Sequence, residues 1–87
     1  ADGPVADLVR HDAEHGTRFA ATLRAWVRAQ GDPAGAAELL DVHPNTVRNR
    51  IRRMGEYTRL GLDDPEMRLA LAIALEVYVQ ETQERNH

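Results

Sequence analysis

The sequence predicts an all-α fold, a small bundle of about five helices, on three observations. Apolar residues recur at the three- and four-residue spacing of a buried helix face, and no stretch alternates apolar with polar residues as a half-buried strand would. Glycines and aspartate-proline pairs divide the chain into short helical segments. The 87 residues suffice for one compact domain, so we expect residues 1–87 to form a single domain.

Two helices are predicted before the first aspartate-proline pair. The first covers residues 5–14 and is closed by Gly16, after which Thr17 is placed to cap the second helix. Gly31 ends that second helix. Its predicted buried stripe consists of Phe19, Leu23, Trp26, Val27 and Gln30.

Three further helices each begin at or just after a proline. They are predicted at residues 34–40, 44–57 and 66–83. A proline suits the first turn of a helix because its missing N–H would have no partner there. Asp32 is expected to cap the first of these helices, and the pair Asp64-Pro65 opens the last.

The third and fourth helices, within about residues 33–57, have the lengths and the short connection of a helix-turn-helix unit. The apolar residues expected along their joint are Ala37, Leu40, Val42, Val47 and Ile51. The small side chain of Ala37 lets the two helices approach, and Leu40 and Val42 close the turn. Val47 and Ile51 then hold the second helix on the first.

The fourth helix has one apolar face and one strongly basic face when residues are placed at 100° intervals. Its core face comprises Val47, Ile51, Met54 and Thr58. The opposite face comprises Asn45, Asn49, Arg52, Arg53 and Glu56, with Thr46 and Arg48 on its flanks. Residues 44–59 hold five arginines against one glutamate, whereas the rest of the chain holds six arginines against thirteen acids. The formal charge of -3 therefore conceals a basic surface on one helix.

A basic, amide-rich helix face suits the major groove of duplex DNA. Arginine forks match guanine edges and asparagine amides match adenine edges, while hydroxyls and the N–H groups of a first helical turn reach phosphates. The residues predicted to contact DNA are His43, Asn45, Thr46, Arg48, Asn49, Arg50, Arg52 and Arg53. The alternative is a solvated face whose arginines pair with nearby acids. Arg50 lies nearest the core and could pair across the helix interface instead.

Three stretches of the sequence resemble a known family. "HPNTVRNRIRRM" and "LGLDDPEMRLAL", with the preceding "HDAEHGTRFAATLRAWV", resemble the C-terminal helix-turn-helix domain of the PucR-type transcription regulators, the purine-catabolism and sugar-diacid group. The resemblance spans roughly residues 5–80. Asn49 stands where that family usually carries a tyrosine, and Gly35 stands where it usually carries a bulkier or hydroxyl residue.

The resemblance implies a function as well as a fold. It implies a helix-turn-helix similar to that of the Fis group, in a domain that binds specific double-stranded DNA sequences. It also implies the C-terminal output domain of a larger, cytoplasmic bacterial regulator. That expectation agrees with a first residue other than methionine and with the absence of any signal segment.

Other classes of function find little support in the sequence. The chain has no cysteine and no serine, and no apolar run approaches the length of a membrane span. His11 and His15 have a spacing that can bind a metal, but no third ligand accompanies them. We therefore expect no enzyme activity, no cofactor, no metal and no membrane contact.

The last helix carries two apolar stripes on opposite sides. We expect Leu69, Ile73 and Val77 to pack on the second helix, at Phe19, Leu23 and Trp26. The second stripe would then face outward as an interface formed by Met67, Leu71, Leu75 and Tyr78. It would serve a homodimer or an upstream sensor domain, and the alternative function is accordingly a dimerisation or protein-interaction module. A further possibility is that the first two helices cover both stripes.

Overall fold

The chain forms five α-helices, and the predicted all-α class is confirmed. The computed structural model describes residues 3–85, within which there is no strand. The helices are α1 (Pro4–His15), α2 (Phe19–Arg28), α3 (Pro33–Leu40), α4 (Pro44–Tyr57) and α5 (Pro65–Arg85). No helix within this part of the chain is both long and apolar enough to cross a bilayer.

Local capping explains where several helices start and stop. The Asp32 carboxylate accepts the N–H of Ala34 at 3.2 Å, which confirms it as the cap of α3. Gly16 ends α1 in the left-handed conformation, at φ 69°, and its N–H bonds the carbonyl of Asp12. Proline occupies the first position of α3 and of α4, where its missing N–H costs no hydrogen bond.

The start of α2 differs from the prediction, because Thr17 is not its cap. The Asp12 carboxylate, which comes from α1, accepts the N–H groups of Phe19 at 2.8 Å and Ala20 at 3.0 Å. The Thr17 hydroxyl donates to the same carboxylate. Asp12, seven and eight positions before these two residues, thus satisfies the first turn of α2 and links it to α1.

The predicted buried stripe of α2 is correct at its start and wrong at its end. Phe19 and Leu23 are buried, and Trp26 and Val27 are half-buried. Gln30 is exposed, because α2 has already ended at Arg28 and Gln30 adopts a left-handed φ of 56°. The predicted stripe therefore extends beyond the end of the helix.

Two hydrophobic clusters hold the helices together. The larger joins all helices except α3 and contains Leu8, Phe19, Ala20, Leu23, Met54, Leu60, Leu71 and Leu75. The smaller joins α2, α3 and α4 and contains Ala25, Ala36, Ala37 and Val47. Three of the four residues in the smaller cluster are alanines, so the backbones of these helices approach closely.

The joint between α3 and α4 has the predicted composition. Ala37 and Val47 are buried, and Leu40, Val42 and Ile51 pack against them. Asp41 turns the chain at a φ of 56°, a conformation that aspartate tolerates better than most residues. The N–H of Val42 then bonds the carbonyl of Ala37 at 3.1 Å and closes α3.

The predicted orientation of α5 is wrong. Leu71 and Leu75 belong to the core, and Tyr78 is half-buried, whereas Leu69, Ile73 and Val77 are 64%, 58% and 48% exposed. The predicted outward interface of Met67, Leu71, Leu75 and Tyr78 therefore contains two core residues, and only Met67 among them is exposed. The two stripes lie on opposite sides of the helix, as expected, but their roles are exchanged.

Candidate nucleic-acid interface

The first turn of α4 is capped by a histidine. His43 Nδ1 accepts the N–H of Asn45 at 3.0 Å, and the His43 carbonyl accepts the N–H of Thr46 at 2.9 Å. The expectation that free N–H groups from this turn would face a phosphate is therefore wrong, since these two groups are already bonded and Pro44 has none. Because Nδ1 accepts a hydrogen bond, the neutral imidazole carries its proton on Nε2.

The outward face of α4 brings two arginine-asparagine pairs together. Arg48 Nη1 donates to Asn45 Oδ1 at 2.8 Å, and Arg52 Nη2 donates to Asn49 Oδ1. All four side chains are exposed. We call these four residues the basic face. Each arginine is oriented by the amide three residues earlier, and the hydrogen bonds are exposed to water, so another hydrogen-bonding partner can replace them at little cost.

The arginines of α4 are largely free of acidic partners. Among the described residues, the only ion pair of Arg48, Arg50, Arg52 or Arg53 joins Arg52 to Glu56 at 3.0 Å. Both of those side chains are more than 60% exposed, so water and salt screen the pair. The alternative in which nearby acids neutralise this face thus applies to one arginine of the four.

The arginines of α2 present the opposite case. Arg24 donates to Glu76 of α5 through Nε at 2.8 Å and Nη2 at 3.2 Å, and Arg28 lies 3.7 Å from the same carboxylate. The hydrogen bond from Arg24 holds the pKa of Glu76 below its ordinary value and raises the pKa of Arg24. These arginines join α2 to α5, whereas of the two arginines of the basic face only Arg52 has an acidic partner among the described residues, and that pair is exposed.

Arg50 points toward the protein, unlike the four residues of the basic face. Its Nη1 donates to the hydroxyl of Thr22 at 3.2 Å, and Thr22 donates in turn to the carbonyl of Arg18 at 2.7 Å. Thr22 is fully buried, and Arg50 is half-buried. The guanidinium therefore links α4 to α2. This is the cross-interface pairing that the sequence left open for Arg50.

Arg53 lies on an aromatic cluster that the sequence did not indicate. Its guanidinium carbon is 5.6 Å from the centre of the Phe19 ring, a cation-π geometry. His11 stacks on that ring at 4.6 Å and meets Tyr57 edge-on at 4.6 Å. The sequence identified His11 only through its spacing from His15, and the 8- and 46-residue separations from Phe19 and Tyr57 gave no local signal. No group of three potential ligands in the described part of the chain could hold a metal ion.

The remaining predicted contact residues lie at the start of α4. His43 is exposed and Thr46 is half-buried, on the same turn as Asn45. Sequence reasoning missed Thr22 and Phe19 as supports of this surface. Both lie on the buried side of α2, where a threonine and a phenylalanine are ordinary core residues, so only the fold shows that they contact arginines of α4.

Known proteins match most of the chain. Residues 19–77 match the family model of the PucR C-terminal helix-turn-helix domain. The chain is 38% identical over 56 residues to the carbohydrate diacid regulator of Escherichia coli (strain K12), covering 64% of this chain and 14% of that protein. It is 38% identical over 61 residues to an uncharacterized protein in the pkwA 5′ region of Thermomonospora curvata, covering 70% of this chain and 34% of that protein. The chain thus spans far less than two thirds of either relative, and no solved structure gives a significant match.

Proposed function

The chain belongs to the family of PucR C-terminal helix-turn-helix domains, and from that premise we propose that it binds specific sequences of double-stranded DNA through α4. In this proposal it is the output domain of a transcription regulator. The family is one of regulator domains and not a class of enzymes. One of the relatives is itself named a regulator.

The observation that carries the proposal is the basic face of α4. It is exposed, it lies on the second helix of a helix-turn-helix unit, and only one of its two arginines has an acidic partner among the described residues. A helix of this kind fits the major groove, which is about 12 Å wide. The acidic remainder of the chain favours an approach to DNA with this face first.

Each residue of the basic face has a role that follows from its chemistry. Arg48 and Arg52 suit the O6 and N7 acceptors of guanine, and Asn45 and Asn49 suit the N6 and N7 groups of adenine. An asparagine that reads a base must release its oxygen from the neighbouring arginine. Specific binding would thus exchange the two arginine-asparagine hydrogen bonds for contacts with base edges.

The residues around the basic face suit the phosphate backbone. His43 would donate from Nε2, since Nδ1 is occupied by the cap, and Thr46 would donate its hydroxyl. Arg53 would reach a phosphate from its position over Phe19. Arg50 takes a different role in this proposal, because its bond to Thr22 makes it a positioning residue that sets the angle of α4.

Selection from a pool of random duplex DNA tests sequence-specific binding. The parent chain should enrich a defined site, and Asn45→Ala or Asn49→Ala should relax the preference at one position of it. Each good amide-adenine contact discriminates by about 1 to 3 kcal/mol. Glu38→Ala, which removes an exposed polar side chain from α3, is the control and should leave the site unchanged. Retention of random fragments without enrichment would show non-specific binding only.

A second role, contact with another protein chain, is favoured by the exposed apolar stripe of α5. Leu69, Ile73 and Val77 remain about half exposed or more within the described residues. The candidates are a second copy of the chain, which would make a homodimer, and an upstream sensor domain. Either is compatible with DNA binding, because helix-turn-helix domains commonly bind as pairs.

A further inference from the structure

Arg52 is held from two sides, and one of its two partners is an acid. Its Nη2 donates to Asn49 Oδ1, and its Nη1 donates to Glu56 Oε1 at 3.0 Å. Glu56 is the single acid among residues 44–59, and it lies one helical turn beyond Arg52 on the outward side of α4. Both side chains of this ion pair are more than 60% exposed, so the pair adds little to the stability of the fold.

We infer that Glu56 is a specificity-determining residue of the DNA interface. It holds the Arg52 guanidinium in an orientation that reads a guanine, and it makes the same arginine a poor partner for a phosphate. The inference rests on the proposed function, since it requires α4 to lie in the major groove. It adds an acid to the residues that decide which sequence is bound.

The hydrogen-bonding capacity of Arg52 allows it to keep Glu56 while it binds a base. A guanidinium has five N–H groups, two on each terminal nitrogen and one on Nε. Within the described residues, Glu56 takes one N–H of Nη1 and Asn49 takes one of Nη2, so each of the three nitrogens retains one N–H. Guanine offers two acceptors, O6 and N7, to an arginine fork. Arg52 can therefore bind guanine without breaking its bond to Glu56.

A phosphate makes the opposite demand on Arg52. The O6 and N7 acceptors belong to a neutral base, whereas a phosphate is an anion and is repelled by a carboxylate that stays beside the arginine. Arg52 pairs fully with a phosphate only when it leaves Glu56. Non-specific binding comes almost entirely from phosphate contacts. Glu56 should therefore lower non-specific affinity more than it lowers affinity for a site with guanine at the matching position.

Arg48 provides an internal comparison, because Asn45 and Arg48 repeat the spacing of Asn49 and Arg52. Arg48 Nη1 donates to Asn45 Oδ1 at 2.8 Å, but the residue four positions after Arg48 is an arginine and not an acid. When Asn45 leaves to bind an adenine, no other hydrogen bond within the described chain orients Arg48. When Asn49 leaves, Glu56 still orients Arg52. Arg52 is thus prepared for a base, whereas Arg48 can bind a base or a phosphate.

Affinities for the selected DNA site and for random duplex DNA, measured side by side, test this role. Glu56→Ala should bind random DNA several-fold more tightly, with a salt slope steeper by about one unit, and should gain less on the selected site. It should also relax the base preference at the position where Arg52→Ala relaxes it. Glu81→Ala, which removes the same charge from an exposed position of α5, should leave the ratio of the two affinities and the selected site unchanged.

Glu56→Gln separates the orientation of Arg52 from the charge of the acid. Its amide oxygen can still accept from Arg52, so the base preference should be largely restored, while the higher affinity for random DNA should remain. In an Arg52→Ala background, Glu56→Ala should cause no further change in base preference, because Glu56 acts through Arg52. A further change there would mean that Glu56 acts on DNA directly and would overturn its positioning role.

The outcomes distinguish this inference from the proposed function. If the parent enriches a site and Glu56→Ala selects the same site with the same ratio of affinities, Glu56 has no part in specificity and the DNA-binding proposal still stands. Equal changes in Glu56→Ala and Glu81→Ala would show an effect of net charge alone and would also overturn the inference. A parent that retains random fragments without enrichment would refute both proposals together.

Discussion

Thr22 and Arg50 form the most specific link between the body of the molecule and its basic helix. Thr22 is the one fully buried polar side chain in the described part of the chain, and both of its hydrogen bonds connect to arginines: one to the guanidinium of Arg50 and one to the carbonyl of Arg18. A buried hydroxyl needs partners to offset its lost hydration. Arg50 thus both stabilises the fold and orients α4.

This link predicts coupled effects of two substitutions. Thr22→Val keeps the shape of the side chain but removes the acceptor for Arg50, and Arg50→Met keeps much of the stem but removes the donor. Each should lower the free energy of unfolding by about 1 kcal/mol. Both should also weaken DNA binding, because α4 loses its fixed angle. The double variant should be less destabilised than the sum of the two, as measured by urea unfolding.

Additive effects would contradict the positioning role. If Arg50→Met weakens DNA binding while Thr22→Val leaves it unchanged, Arg50 acts on DNA through its own charge or contact and not through its bond to Thr22. The two substitutions together therefore distinguish a residue that supports the surface from a residue that belongs to it.

His43 has a structural role in addition to its predicted contact with DNA. The sequence indicated His43 as a DNA contact, but its position before Pro44 also makes it the cap of α4. Histidine is not among the preferred capping residues, so the capping role has no strong sequence signal. Once the bond from Asn45 to Nδ1 is known, the protonated nitrogen of the neutral ring follows from it.

Helix α5 is joined to α2 by an ion pair as well as by the core. Glu76 accepts two hydrogen bonds from Arg24 and lies near Arg28. The pKa of Glu76 is lowered in the folded chain, chiefly by the hydrogen bond from Arg24. A carboxyl with a lowered pKa stabilises the fold above its unfolded pKa, and that contribution is lost as the pH falls through the folded pKa.

Glu76→Gln should therefore flatten the acid limb of the stability curve. Between about pH 6 and pH 3, the melting temperature of the parent should fall by more than that of Glu76→Gln. The difference should be small and should shrink in high salt, since both side chains of the pair are partly exposed. Glu81→Gln, a change of an exposed α5 residue with no ion pair among the described residues, is the control. Equal acid sensitivity of parent and Glu76→Gln would contradict the role of the pair.

The elements themselves could be predicted, but the orientation of α5 could not. Prolines, Asp32 and Gly16 mark helix ends through local chemistry, which a sequence contains in full. The two stripes of α5 are similar in size and in apolar character, so neither spacing nor composition says which one meets the core. The choice is made by Leu8 of α1, Leu23 of α2 and the other residues that pack on Leu71 and Leu75, and these are distant in the chain.

The distribution of charge over the whole molecule says more about its partner than the net charge does. The formal charge is -3, yet four arginines lie within residues 48–53. The described chain measures 32 × 27 × 22 Å. The basic helix and the acidic remainder therefore lie within a few Debye lengths of each other at physiological salt. The basic face could be located from the sequence because helical periodicity fixes which side chains share a side. Helical spacing also placed Arg50 nearest the core, but the partners of the arginines, Thr22 for Arg50 and Phe19 for Arg53, could not be predicted, since they lie far away in the chain.

The affinity of an Arg48→Ala/Arg52→Ala double variant for duplex DNA tests whether α4 is the recognition helix. The control is Arg10→Ala/Arg18→Ala, which removes the same charge from exposed positions outside α4. At low salt, two contacts of about 1 kcal/mol or more each predict a loss of at least about 30-fold for the first variant. The control should bind within a few-fold of the parent. If both double variants lose affinity equally, binding follows total charge and the assignment of α4 as the recognition helix is wrong.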